Sequence, residues 1–317
     1  MDRTMKSPRI VVVGSSNTDM VVKSERLPAP GETVTGGQFL MAAGGKGANQ
    51  AVAAARLGAD VTFVAKVGSD VFGEQAIAGY RKEGIRTDFI LRDPQNATGV
   101  ALILVDQKGE NLISVASGAN HALSPDDVRR AAEPIRAADV VVLQLEIPLE
   151  TVAAAAAIAA EAGVPVILDP APAPDGPLDL ALLRNVTCVK PNETEAERLT
   201  GVAVRDEDSA RRAAARLLAS GVRWAVITLG AKGALWMEGE RSGLVGGLRV
   251  EAVDSTAAGD AFSGALACGL ARKQPLDEAV RFATVVAALS VTRLGAQPSL
   301  PSSEEVERFR ATLPGSW

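Results

Sequence analysis

Short β-branched runs alternate with alanine- and leucine-rich stretches along most of this chain, and that alternation restricts the fold more than any other feature. IVVVG at 10–14, DVTFVAKVG at 60–68, DVVVLQLEI at 139–147, VPVILDPAPA at 164–173 and WAVITLG at 224–230 read as strands. The stretches 48–58, 72–84, 149–163 and 207–221 read as helices, several closed by glycine. Apolar strands separated by crossover helices predict an α/β fold whose central, mostly parallel sheet is covered on both faces. Two stretches break the rhythm. Residues 19–40 hold short β-like pieces around PAPGETVTGG, and 98–118 reads as a hairpin, GVALILVD and NLISVASG joined at QKGE. Neither leads at once into a crossover helix. They read either as one small projecting sheet split in sequence or as ordinary edge hairpins, and patterning does not separate the two. No repeat or linker divides the chain, and PAPAPDGP at 170–177 reads as a stiff loop.

A chain of 317 residues can bury a large core without disulfide or metal staples. With 47% hydrophobic and only 3% aromatic residues, that core must be aliphatic. The net charge is −5 and no basic block occurs, which argues against nucleic acid or an anionic membrane surface as partner. Cys188 and Cys268 show neither metal spacing nor a disulfide framework, as expected in the cytoplasm. The one histidine, His121, reads as a surface loop residue, which disfavours a histidine triad or a histidine-ligated zinc. No apolar run reaches the roughly 18 residues of a membrane span. The polar start MDRTMKSPRI does not read as a signal peptide.

Several segments carry chemistry. Near the C-terminus, Ala257, Ala258 and Gly259 lead into Asp260 and an apolar helical run. The first amides of a helix lack partners within it and attract an anion, so Asp260 would stand beside an anion hole. Phosphoryl transfer to a hydroxyl needs such donors and a base. An ordinary N-cap aspartate is the competing reading. Gly44 to Gln50 (GGKGANQ) joins close-approach glycines to a cation and two amides, suited to a hydroxyl-rich ligand, but it is neither a Walker A loop nor a dinucleotide fingerprint. Asn17 and Asp19 follow the first strand, where ligands bind in open α/β sheets, although Asx turns would give the same pattern. Gln144 and Glu146 are expected to share a face if their strand persists. Asn192 and Glu195 would share one side of a helix start, as a magnesium and phosphate motif or as a capping box. Thr228 to Gly233 (TLGAKG) reads as a nucleotide-lining loop or a plain strand-turn-strand.

In this order, the segments IVVVGSSNTDMVV, PGETVTG, GGKGANQAVAAA, KPNETEAERLTG, ITLGAKG and VDSTAAGDAFSGAL resemble the ribokinase-like (PfkB-type) carbohydrate kinases over nearly the whole chain. The resemblance implies one three-layer α/β/α domain over 1–317 with a small β-sheet lid from about 19–40 and 98–118, two lids often pairing in a homodimer. It implies ATP-dependent phosphorylation of D-ribose at O5. Asp260 would be the catalytic base, with Ala257, Ala258 and Gly259 as the anion hole. Asn17, Thr18, Asp19, Gly45, Lys46, Gly47, Ala48, Asn49, Glu146 and Asp260 would hold the sugar. Asn192, Thr228, Leu229, Gly230, Ala231, Lys232, Gly233, Gly259, Asp260 and Thr284 would contact ATP. Asn192 and Glu195 would order Mg2+ through water. Asp254, Thr256, Ser290, Arg293, Gly295 and Ser299 match the positions of an activating K+. Thr284 stands where many members carry Asn or His, which leaves its own contact and the nucleotide preference open. A kinase for 2-deoxyribose, a ketohexose or a nucleoside is the nearest alternative, and a sugar sensor without catalysis a more distant one.

Overall fold

The computed structural model describes residues 7–174 and 176–315. The polar start at 1–6 lies outside the described residues. In chain order the strands are β1 (Arg9–Val13), β2 (Asn17–Lys23), β3 (Gln38–Gly44), β4 (Asp60–Gly68), β5 (Ile90–Asp93), β6 (Gly99–Val105), β7 (Asn111–Ala116), β8 (Val140–Gln144), β9 (Val166–Asp169), β10 (Cys188–Val189), β11 (Trp224–Thr228), β12 (Gly233–Glu238) and β13 (Arg241–Gly246). Nine of them form one sheet in the order β13-β12-β11-β10-β9-β8-β1-β4-β5. It is parallel from β11 to β5, and β12 and β13 add an antiparallel edge. Chain order reverses at β1, which lies between β8 and β4. That reversal leaves a crevice beyond the carboxyl ends of the strands, the place where open α/β sheets bind ligands.

The apolar strands serve two cores. Ile10 and Val12 of β1 face one cluster, shared with the helices Lys46–Arg56, Val71–Lys82, Ala258–Ala271, Leu276–Ser290 and Ser303–Arg310. Val11 and Val13 face a second cluster, shared with Pro125–Arg130, Ala132–Ala137, Leu149–Glu161, Leu180–Leu183, Glu193–Thr200 and Glu207–Ala219. A strand buried on both faces has no polar side to alternate, which is why IVVVG reads as a continuous apolar run. The expected three-layer α/β/α arrangement with a mostly parallel sheet is what the chain forms.

The remaining strands make a four-stranded sheet, β3-β2-β6-β7. β2 pairs antiparallel with β3 and parallel with β6, and β6 and β7 form the hairpin. The irregular stretches therefore join one small sheet. Its strands begin earlier and end later than 19–40 suggests, at Asn17 and Gly44. Pro28, Pro30, Gly31, Gly36 and Gly37 keep most of the segment between them out of any strand.

Among helix contacts, that between Lys46–Arg56 and Ala258–Ala271 governs the site. A Cβ on Gly264 would lie 2.6 Å from Ala53 Cβ and 3.0 Å from the Gln50 carbonyl oxygen. No larger side chain fits there unless the helices part. Gly264→Val is expected to lower stability by about 1–3 kcal/mol, the usual effect of overpacking a tight core. Urea unfolding checks this, and a variant as stable as the parent would contradict the close contact.

Candidate active site

Two helices aim their first turns into the crevice. The helix Lys46–Arg56 starts at Gly45, whose φ of 89° favours glycine. A Cβ there would lie 2.7 Å from the Asn17 nitrogen. This close passage ties the helix start to the loop joining β1 to the small sheet. The helix Ala258–Ala271 starts at Ala257, a non-glycine residue held at φ 59°. The turn brings the amides of Ala258, Gly259 and Asp260 to the head of a largely apolar helix; Ala258 donates to the Ser255 carbonyl at 3.2 Å, and Gly259 and Asp260 have no carbonyl of that helix to receive them.

Asp260 is 5% exposed in the first turn. Asn49 Nδ2 donates to its Oδ2 at 2.9 Å, and Gln50 Nε2 donates to its Oδ1 at 2.9 Å. Both oxygens of the carboxylate are thus held by amides of the first helix. Burial pushes the Asp260 carboxyl above the usual range, the Lys46 cation opposes that rise, and Asp169 adds to it. For Lys46, burial alone would lower the ammonium. The carboxylates of Asp260, Asp169, Glu146 and Glu195 outweigh it and hold Lys46 above its ordinary value, so it stays charged.

The sugar-side candidates gather around the same helix start. Glu146 Oε2 accepts from Ser15 Oγ at 2.5 Å and from the Lys46 amide at 3.0 Å. The strand does not persist as far as Glu146: β8 ends at Gln144, and residues 145–147 form a bend. Gln144 and Glu146 accordingly have different partners, Gln144 Nε2 donating to Gln50 Oε1 at 2.6 Å. Asn17 and Thr18 are buried on β2, not in the loop after β1. Asn17 Oδ1 accepts from Asn120 Nδ2 at 2.7 Å, and Asn120 Oδ1 accepts from the Ser16 amide at 2.8 Å. Asn120, in the short turn Gly118–Ala122, thus orients Asn17 and is a support that sequence reading missed. Burial, with Glu146 and Asp260 nearby, pushes the Asp19 carboxyl up to about 6.

A cavity of about 870 Å³ opens beside Asp260 and runs between Asn192–Glu195, the β11–β12 turn and the helix Leu276–Ser290. Ala257, Ala258, Gly259, Thr228, Gly230, Ala231, Gly233 and Thr284 line it, as do Lys46, Asn192 and Glu195. Leu229 and Lys232 do not. Leu229 is buried, and Lys232 Nζ donates to the Arg205 carbonyl at 3.3 Å, because the one-turn 3-10 segment Gly230–Lys232 swings that side chain outward. Thr284 Oγ1 donates to the Val280 carbonyl at 2.9 Å, so its hydroxyl hydrogen is used inside its own helix. Asn192 and Glu195 form a reciprocal capping box, each side chain accepting the other's amide at 2.8 Å. The capping reading is correct, and it also sets both residues on the cavity wall. Burial and Asp169 push the Glu195 carboxyl up, with Lys190 opposing.

Of the proposed K+ positions, Asp254 Oδ1 accepts from the Thr256 amide at 2.9 Å and hydroxyl at 2.6 Å, and Oδ2 accepts from the Gly295 amide at 2.8 Å. The Val291 carbonyl accepts from the Val253 and Asp254 amides, so the 253–256 loop sits against 290–295. Burial opposes ionisation of Asp254, but the bonds from Thr256 and Gly295 hold its carboxyl below the usual range. The Arg293 guanidinium is paired with Glu305 at 2.8 Å, leaving its carbonyl as the group that could join a cation site. Ser299 Oγ donates to the Ala296 carbonyl at 2.8 Å, in the turn just beyond. Among the described residues, no group of three or more His, Cys, Asp or Glu side chains is placed to hold a metal ion, so such a cation would rest mainly on carbonyl oxygens.

The raised Asp19 carboxyl has a sign. Its folded value exceeds the unfolded one, so its contribution to stability is greatest below the ordinary value of 3.8 and is lost as pH rises through about 6. Asp19→Asn is therefore expected to become increasingly stable relative to the parent as pH rises across that window. A constant difference, in urea unfolding on either side of it, would contradict the assignment.

Comparison with known proteins gives a consistent result. Residues 7–303 match the pfkB family carbohydrate kinase. The chain is 46% identical over 300 residues to a ribokinase of Haemophilus influenzae, covering 95% of this chain and 97% of that protein. It is 40% identical over 300 residues to a deoxyribokinase of Salmonella typhi, covering 95% and 98%. A solved structure of Arabidopsis thaliana ribokinase complexed with ribose and ATP superposes with a TM-score of 0.88 at 35% identity, covering 96% of this chain and 99% of that one.

Proposed function

Because the chain belongs to the pfkB family of carbohydrate kinases, we propose that it transfers the γ-phosphoryl group of ATP to the 5-hydroxyl of D-ribose, giving D-ribose 5-phosphate and ADP. The observation that carries this reading is the Asp260 carboxylate, buried at a helix head, aimed by two amides and bordering the large cavity. The similarity to proteins named ribokinase supports ribose as acceptor. The similarity to a deoxyribokinase keeps 2-deoxyribose as a second reading, since a single hydroxyl contact can separate such substrates. A sugar sensor would have no use for a buried, amide-oriented carboxylate.

In this reading the sugar lies between Asn17, Thr18, Asp19, the Gly45–Asn49 segment and Glu146, with its primary hydroxyl toward Asp260. ATP occupies the cavity, its phosphates pointing at the amides of Ala257 to Gly259. As the O5–P bond forms and the bond to the ADP oxygen breaks, Asp260 takes the hydroxyl proton and later releases it to solvent. The helix-head amides and the Lys46 ammonium offset charge on the transferring oxygens. The small sheet closes over the sugar as a lid and keeps water from competing as acceptor.

Two cations complete the proposal. Asn192 and Glu195 offer oxygen ligands on the cavity wall that suit a hydrated Mg2+, which would neutralise phosphate charge when it arrives with ATP. Asp254 and the carbonyls of 290–295 suit K+, close to the turn that forms the anion hole. We read the protein as cytoplasmic: its cysteines are buried and unpaired, and no helix among the described residues is long and apolar enough to cross a membrane.

The lid also suits a homodimer. Phe39 lies beside Val22, Leu104 and Leu112 across the sheet, and Met41 beside Met20 and Leu102. On this face Phe39, Met41, Leu102 and Leu112 are exposed; the other carries Asn17 and Asp19 together with the exposed Leu40, Ile113 and Val115. A second lid would cover such an apolar face. Met41→Lys is expected to convert a dimer to monomer in sedimentation velocity, and a variant with unchanged mass would rule out this face.

Asp260→Asn is expected to lower kcat by about 100- to 10,000-fold while the affinity for MgADP stays within about twofold, as expected on losing only the base. ADP release with D-ribose, 2-deoxyribose, fructose and adenosine, with and without K+, tests the substrate. Turnover by Asp260→Asn near that of the parent would overturn the assignment of the base.

A further inference from the structure

Asp169 and Lys190 lie buried together at the base of the cavity, and the reaction derived above does not use them. Their side chains are each 3% exposed, with Lys190 Nζ 3.0 Å from Asp169 Oδ2. Asp169 ends β9 and Lys190 directly follows β10, its parallel neighbour, so the pair sits at the sheet's carboxyl edge. Burying an ion pair is seldom stabilising compared with apolar residues of the same size, so its presence calls for another role.

The bonds around the pair lead to one place. Asp169 Oδ2 accepts from Gln50 Nε2 at 2.8 Å and from Ser263 Oγ at 3.1 Å. The same Gln50 nitrogen donates to Asp260 Oδ1 at 2.9 Å. An amide nitrogen carries two hydrogens, so Gln50 can serve both carboxylates at once. Gln144 donates to Gln50 Oε1 at 2.6 Å, which fixes which end of the amide faces them. Lys190 Nζ also donates to the Gly259 carbonyl at 3.3 Å, in the turn that carries Asp260.

We propose that the Asp169–Lys190 pair is the positioning unit for the catalytic base, acting through Gln50 on the Asp260 carboxylate and through Gly259 on the turn beneath it. Lys190 also offsets the charge of Asp169, which would otherwise repel Asp260 across the shared amide. The inference rests on the reading of Asp260 as base. Both residues border the cavity assigned to ATP, but the sugar and nucleotide contacts in the proposed function fall to other side chains, so loss of the unit is expected in kcat and not in KM. A misplacement of the base by about 1 Å can lower a rate by about 100-fold.

The test uses Asp169→Asn, Lys190→Met and the double variant in the full-length protein, with whichever sugar the parent turns over best. Each folded single variant is expected to lose about 10- to 100-fold in kcat with both KM values within about twofold. If the pair acts as a unit, the double variant loses no more than the worse single. Should a single variant fail to fold because it leaves a buried charge unpaired, the double variant, which removes both charges, carries the same test. Unchanged kcat in a folded variant, losses that multiply in the double, or a rise in sugar KM at constant kcat would each overturn the proposal. A crystal structure of the double variant reads the outcome without turnover. The expected result is a Gln50 amide and Asp260 carboxylate displaced from each other, and an unmoved pair would overturn the inference. A parent inactive on every sugar, with that displacement still seen, would instead count against the proposed activity.

Discussion

Everything at the candidate site depends on how closely the helices Lys46–Arg56 and Ala258–Ala271 pack. Gly264 leaves Ala53 and the Gln50 backbone within contact distance, and this closeness lets two amides of one helix reach a carboxylate of the other. With a larger residue at that crossing, Asn49 and Gln50 would still sit on the first helix, but Asp260 would lie out of reach. The small side chains that make both helices look featureless in sequence are the condition for the polar contacts at their heads. The apolar bodies bury against the sheet and each other, which leaves the first turns as the places where polar groups converge.

That convergence is electrostatically unfavourable unless it is balanced. Asp19, Glu146, Asp169, Glu195 and Asp260 share a partly desolvated region with the cations Lys46 and Lys190. Burial, reinforced by the excess of acid, raises the carboxyls of Asp19, Glu195 and Asp260, and the same acids hold Lys46 above its ordinary value. MgATP is itself a net anion, so only its metal ion opposes the excess of acid, while Lys46 and the helix-head amides would face its phosphates and a neutral sugar would add no charge on the other side. The arrangement thus suits a neutral polyol beside an anion carried with metal, the anion being met by the helix-head amides and Lys46. This is the ligand pair a sugar kinase handles.

The layered fold was legible because strands buried on both faces are continuous apolar runs, and helices between them repeat small residues. The capping box of Asn192 and Glu195 was legible for a local reason, since both partners lie within one turn. The other supports were not. Gln50 stood in a recognisable segment, but its acceptor is 210 residues away, and nothing local marks that pairing. Asp169 ends β9 and Lys190 directly follows β10, and they meet only through parallel pairing of the two strands. Glu146 was misjudged as part of a strand because the apolar pattern runs on to Ile147 after the hydrogen-bonded ladder has stopped at Gln144. The direction of the Lys232 side chain was not legible either, because a single 3-10 turn changes which way a side chain leaves a loop.

The most direct test of the account is a crystal structure of the protein with D-ribose and a non-hydrolysable ATP analogue with Mg2+. The account predicts the sugar's 5-hydroxyl within about 2.6–3.2 Å of an Asp260 carboxylate oxygen, with the terminal phosphate on the amides of Ala257 to Gly259. A sugar bound with another hydroxyl toward Asp260, or a terminal phosphate held away from that helix head, would contradict it.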